Sequence, residues 1–412
     1  MDSRSTAGTI VRTARVAQRM TLAELGRRTG YSAAQVSRLE RGIASLSDVV
    51  VLRLFAEALA IPPGRFGLAC TSPNHQPVVT VSNHREEEAD PMRRRTLLAA
   101  AGLSIPLSVV QRVEDALAVP PEPSRVEGLA GIQSRLAQAK RQYDLSELAI
   151  LTAGLPDLLS AAQHTAERAD TPAGWALVAE SHALATDVLS KIGRDGSARI
   201  TADRAMQHAK RSGDPVAIGT AARPLGMVLR KDGRHEVAAA VVLRAADGLE
   251  KAGLRTAAQA STYMRLLCAS AYTASWAGDQ RRALERIGEA ERAAGRLAAL
   301  TGRRGGLPFV ALYRSNINYA LGDAEAALHE ARGLRADMYP TPERRARLHT
   351  DRARAYWRCG KAEQAAHALL AAHREAPGEV RDRPSIRGVV EELALRHTRM
   401  SGVRELTAAM SI

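Results

Sequence analysis

At 412 residues the chain is long enough for two or three domains, and 45% hydrophobic with 25% charged residues excludes disorder throughout. Aromatic residues make up only 3% while Ala, Leu and Arg abound, a composition of packed helices and not of sheets, so the predicted class is all-α. The formal charge of +14 and the pI near 10.3 favour an anionic partner, nucleic acid first.

In chain order, the first signals lie in Thr21 to Gly42, TLAELGRRTGYSAAQVSRLERG. Thr21 with Glu24 and Ser32 with Gln35 are spaced as capping boxes, so each opens a short helix, and Gly30 separates the two. Leu22 and Leu25, then Val36 and Leu39, recur at i, i+3 and turn both apolar faces toward one small core. Arg27, Arg28, Gln35, Ser37, Arg38 and Arg41 are left outside. Such a pair of helices places the second in the major groove of double-stranded DNA while basic groups hold phosphates.

This stretch, continued by SLSDVVVLRLFAEALAI, resembles the Cro/C1-type or XRE family of helix-turn-helix regulators from about Thr9 to Leu68. The resemblance implies a five-helix, lambda-repressor-like domain within residues 1–70, with helices near 9–19, 22–29, 33–41, 46–60 and 63–68. By position it implies that Ala33, Ala34, Ser37 and Arg38 face the bases, with Ser32, Arg28 and Arg41 near the backbone. Leu22 departs from the family, which often has Gln there as a phosphate contact. Arg38 is then the best candidate for a bidentate contact to guanine, and Ala33 or Ala34 for a thymine methyl.

Thr71 to Pro91 carries proline, asparagine, histidine and an acidic run without apolar repeats, and reads as a linker. Helical character returns at Met92 to Leu117, and VPPEPS at 119–124 interrupts it again, so residues 71–124 are predicted to be a linker with one helix. Arg93 to Val110 imitates a twin-arginine export signal. Its apolar run of about 15 residues is broken by Gly102 and Pro106 and falls short of the roughly 20 needed to span a membrane. MDSRSTAGTI lacks an apolar run, so no secretory signal is expected there, and Cys70, Cys268 and Cys359 stand singly without metal-site spacing. A reduced, cytoplasmic chain without metal or cofactor is expected.

From residue 125 to 412 there is almost no strand signal. Gly193, Gly233, Gly278, Gly322 and Gly360 each stand between two amphipathic helices, the last four in RKDGRHEVAAAVVLRA, SWAGDQRRALERIGEA, YALGDAEAALHEA and WRCGKAEQAAHALLAA. Their separations of 40, 45, 44 and 38 exceed the 34 of the tetratricopeptide repeat, which these units otherwise resemble. The resemblance implies an α-solenoid of six units, the first near 126–167, with capping helices from Glu379 and a concave face lined by the first helix of each unit.

Counting thirteen, ten, six and three residues back from each glycine places Arg223, Arg230, Arg265, Tyr272, Asn316, Tyr319, Arg347 and Arg354 on that face. Arginines in excess of carboxylates fit an acidic peptide or a C-terminal carboxylate, and Asn316 fits a peptide amide. No Gly-rich phosphate loop, Ser/His/Asp set or paired carboxylates argue for an enzyme. The two resemblances together imply a homodimeric transcriptional regulator whose repeat domain senses a peptide or protein. The alternative is a repeat scaffold held on DNA by its basic head.

Overall fold

The computed structural model describes residues 7–18, 20–31, 33–40, 46, 49–61, 105–123 and 127–410. Among these residues every regular element is helical. The chain divides into two compact units, Met1–Glu88 and Ala89–Ile412.

The first unit contains α1 (Ala7–Ala17), α2 (Leu22–Thr29), α3 (Ala33–Glu40) and α4 (Val49–Ala58). They enclose Val11, Met20, Leu25, Val36, Leu39, Phe55, Leu59 and Ile61, and the ring of Tyr31 lies 5.7 Å from that of Phe55. The first helix starts two residues before its predicted position because Gly8 belongs to it. A Cβ there would stand 2.3 Å from the Leu39 carbonyl oxygen, so glycine is what lets α1 lie against the end of α3. The fourth ends at Ala58, with Ala60 in a left-handed turn at φ 49°. The predicted helix at 63–68 and the segment 71–104 fall outside the described residues.

In the second unit, α5 (Leu107–Ala118) follows Pro106 and is not a free connector. Its Val110, Val113 and Leu117 enter the same apolar cluster as Leu151, Leu155 and Val188. Six helix pairs follow among the described residues: α6 (Leu129–Asp144) with α7 (Leu148–Ala169), α8 (Pro172–Lys191) with α9 (Asp195–Ser212), and α10 (Pro215–Lys231) with α11 (His235–Lys251). Next come α12 (Ala257–Trp276) with α13 (Gln280–Thr301), α14 (Gly306–Ala320) with α15 (Ala324–Ala331), and α16 (Pro342–Arg358) with α17 (Ala362–Glu375). The chain closes with α18 (Pro377–Arg381), α19 (Pro384–Arg396) and α20 (Ser401–Met410).

The sequence dictates this punctuation. Thr171, Asp214, Thr256 and Thr341 cap the first helices of four pairs by accepting a backbone N–H, and Gly193, Gly233, Gly278, Gly322 and Gly360 turn the chain at φ between 71° and 101°. Fully buried Ala198, Ala202, Ala205 and Ala209 form one stripe of α9 at helical spacing, where neighbouring helices approach closely. Each first helix, from α6 to α16, also touches the first helix of the next pair, so these six helices line the inside of the stack. The stack curves far enough for α6 to touch α16.

Candidate functional site

In the first unit, the local chemistry fixes α2 and α3 and leaves one polar face outward. Thr21 Oγ1 accepts from Glu24 N at 3.2 Å and Glu24 Oε2 accepts from Thr21 N at 2.7 Å, a complete capping box. The Thr21 hydroxyl also donates to Glu24 Oε2 at 2.7 Å, and this bond, with that from Thr21 N, holds the Glu24 carboxyl below its ordinary pKa. Gly30, at φ 74°, ends α2. The end of α3 is tied to α1 by a two-pronged ion pair, Arg15 Nε to Glu40 Oε1 at 2.5 Å and Nη2 to Oε2 at 2.7 Å, and the bond to Glu40 raises the arginine's pKa.

On α3, Val36 and Leu39 are buried while Ala33, Gln35 and Arg38 are exposed and Ser37 is half-buried. Arg27 and Arg28 are exposed at the end of α2, and Arg28 Nη1 also donates to the Ala58 carbonyl at 3.4 Å. That bond gives Arg28 a role in holding α4 which sequence reasoning missed. Ser32, Arg41 and the side chain of Ala34 lie outside the described residues, and with Ser32 goes the second capping box.

In the second unit, the first helices enclose a cavity of ≈ 440 Å³. Of the residues expected on the inner face, Arg223, Arg230, Tyr272, Asn316, Arg347 and Arg354 line it. Arg265 and Tyr319 do not. The Arg265 guanidinium lies 5.3 Å from the Phe309 ring centre, about two turns before Tyr272 on α12, and Tyr319 is covered by Arg354 at 4.4 Å and Arg358 at 5.3 Å. Lys191, Tyr143, Glu343, Arg344 and Arg383 also line the cavity and were missed. Arg344 sits three residues before Arg347, the first counted position of its unit, and Arg383 lies after the last glycine-marked pair.

Carboxylates of the chain meet most of these cations. Arg223 pairs with Asp187, Arg347 Nε contacts Asp351 Oδ2 at 3.1 Å, Arg354 Nη1 stands 3.9 Å from Asp351 Oδ1, and Asn316 Nδ2 donates to Asp351 Oδ2 at 2.8 Å. Lys191 Nζ reaches Glu343 Oε1 at 2.7 Å and Glu379 Oε1 at 2.5 Å, and Glu379 also accepts from Ser146 Oγ at 3.0 Å and Arg383 Nη1 at 2.9 Å. This buried network joins the turn after α6 and the end of α8 to α16 and α18, and so latches the beginning of the stack to its end. Burial alone would lower the pKa of Lys191, but Glu343 and Glu379 raise it above the ordinary lysine value. Glu343 is held below the ordinary carboxylate range because Lys191 and Arg344 outweigh its burial.

Among the described residues, no cluster of three His, Cys, Asp or Glu side chains is grouped as metal ligands, and no helix is long and apolar enough to cross a membrane. No curated protein matches the chain. The profile of one family, described as a helix-turn-helix domain, matches residues 7–65. That span holds the capped α2, the turn at Gly30 and the outward face of α3, and the chain therefore carries an N-terminal helix-turn-helix domain.

Proposed function

We propose that the protein is a cytoplasmic, sequence-specific transcriptional regulator that binds double-stranded DNA as a homodimer through α3. Arg38, with Ala33, Ala34 and Ser37, meets base edges. Arg27, Arg28, Gln35 and the flanking Ser32 and Arg41 hold the sugar–phosphate backbone. The single observation that carries this reading is the outward polar face of α3, held by the Thr21–Glu24 capping box and the Arg15–Glu40 pair within the matched helix-turn-helix span. The helical stack, read as a tetratricopeptide-type array, takes an anionic effector in its cation-lined cavity, the carboxylate of a peptide or protein being the form that the repeat resemblance implies. Effector uptake shifts the curvature of the stack and with it the spacing of the two DNA-binding units of a dimer.

The test is duplex binding by two variants. Arg38→Ala is expected to lose about 1 to 3 kcal/mol on the preferred site and to relax selection at one base position. Arg28→Ala is expected to weaken all duplexes alike and to lower the salt slope by about one. Unchanged affinity of Arg38→Ala for the preferred site would remove α3 from recognition.

The second reading, an interaction scaffold localised on DNA by its basic head, is favoured by the pairing of most inner-face cations with carboxylates of the same chain. A scaffold would bind duplexes without selecting a sequence.

A further inference from the structure

Eight basic side chains line the central cavity, against three carboxylates. Seven of the eight have a carboxylate within ion-pair reach, Lys231 through Asp195 at 2.7 Å and Arg344 through Glu343 at 3.2 Å completing those described above. Arg230 is the exception. It is 8% exposed, its Nη1 donates to Thr273 Oγ1 at 3.2 Å, and its guanidinium lies 4.8 Å from the centre of the Tyr272 ring. Burial disfavours its charge, and so do two neighbouring cations, Arg223 and Arg347. A guanidinium carries five N–H donors, and leaving a charge buried without a counter-charge is expensive.

Resting on the reading of this stack as an effector-binding domain, we propose that Arg230 anchors the carboxylate of a small organic acid. Its apolar, planar body would lie against Tyr272, Met227, Leu312 and Trp276, which line the same cavity. One unpaired guanidinium calls for one negative charge, and its planar fork matches a carboxylate in two-pronged contact. A space of ≈ 440 Å³ falls in the range of small-molecule sites. The Lys191–Glu343–Glu379 latch joins the two ends of the stack, which favours a compact ligand over a length of extended chain.

The experiment is calorimetric titration of the full-length protein with benzoate, benzamide, inorganic phosphate and a hexapeptide ending in phenylalanine with a free carboxylate. Benzoate is expected to bind one to one, with benzamide and phosphate at least tenfold weaker. Arg230→Met, which removes an uncompensated charge while keeping apolar bulk, is expected to lose benzoate affinity at least tenfold. Arg282→Met, at a half-exposed position on α13, should leave it unchanged. Arg230→Lys keeps the charge without the fork and is expected to bind benzoate about tenfold more weakly, which keeps the question answerable should the methionine variant not fold. Equal benzoate binding in wild type and the Arg230 variants, no benzoate binding at all, or phosphate binding as tightly as benzoate would each overturn the proposal. Tighter binding of the hexapeptide than of benzoate would overturn it in favour of a peptide. Duplex affinity measured in parallel separates the two readings. Benzoate bound at Arg230 without effect on any duplex would sink the regulator and keep the site, and intact duplex selection without benzoate binding would sink only the site.

Discussion

His182 shows what the helical stack does to a titratable residue. It is 4% exposed, its ring stacks 5.6 Å from that of His208, and His208 in turn stacks 5.4 Å from Trp175. Burial, with His208 and Arg204 adding to it, pushes its pKa down to about 3. The folded chain therefore refuses a proton that the unfolded chain takes up below about pH 6.5, so stability falls as the pH falls through that window toward 3. Between pH 6.5 and 5 the second unit is expected to lose about 1.5 kcal/mol through this residue, read by urea unfolding followed by tryptophan fluorescence. His182→Phe should flatten that part of the slope, and an undiminished slope would mean that other groups carry it. The sequence offered only a lone histidine with no ligand spacing, because its neighbours come from another helix. By contrast, Arg38 was legible, since its exposure follows from the i, i+3 spacing of Val36 and Leu39 around it.

At the scale of elements, caps and turns were the most legible features. Thr21 with Glu24 and the five turn glycines act through bonds made within four residues, and the structure places each of them at a helix boundary. The boundaries of α1 and α4 were less so, because Gly8 is kept by a contact with Leu39 and the chain turns at Ala60 without a glycine. The latch was not legible at all. Ser146 and Glu379 are 233 residues apart, and only the accumulated curvature of six helix pairs brings them together. Glu379 is fully buried with Lys191, Arg383 and Ser146 around it, so Glu379→Ala leaves buried cations short of a partner. The expected loss is about 3 to 5 kcal/mol of unfolding free energy, measured in urea. A loss below about 0.5 kcal/mol would show that the latch is open in solution.

For the whole molecule, composition foretold the helical class, and the excess of Lys and Arg pointed toward an anionic partner. What composition does not give is how the charge is spent. In the second unit much of the basic excess on the inner face is answered by Asp187, Glu343, Asp351 and Glu379, whereas on the first unit Arg27, Arg28 and Arg38 face outward. Net charge alone would have treated these arginines as equivalent, and only packing separates them. The proposed division of labour assigns DNA recognition to residues 7–65, the span of the helix-turn-helix match, and effector uptake to the helical stack. The measurement that tests it most directly is selection of bound duplexes from a random-sequence pool by the full-length protein, with Arg38→Ala in parallel. The expected result is a single enriched motif with two half-sites about 10 base pairs apart, or a multiple of that, and loss of preference at one position of each half-site in the variant. Recovery of duplexes without any common motif would contradict sequence recognition by α3 and leave the protein a nonspecific DNA-bound scaffold.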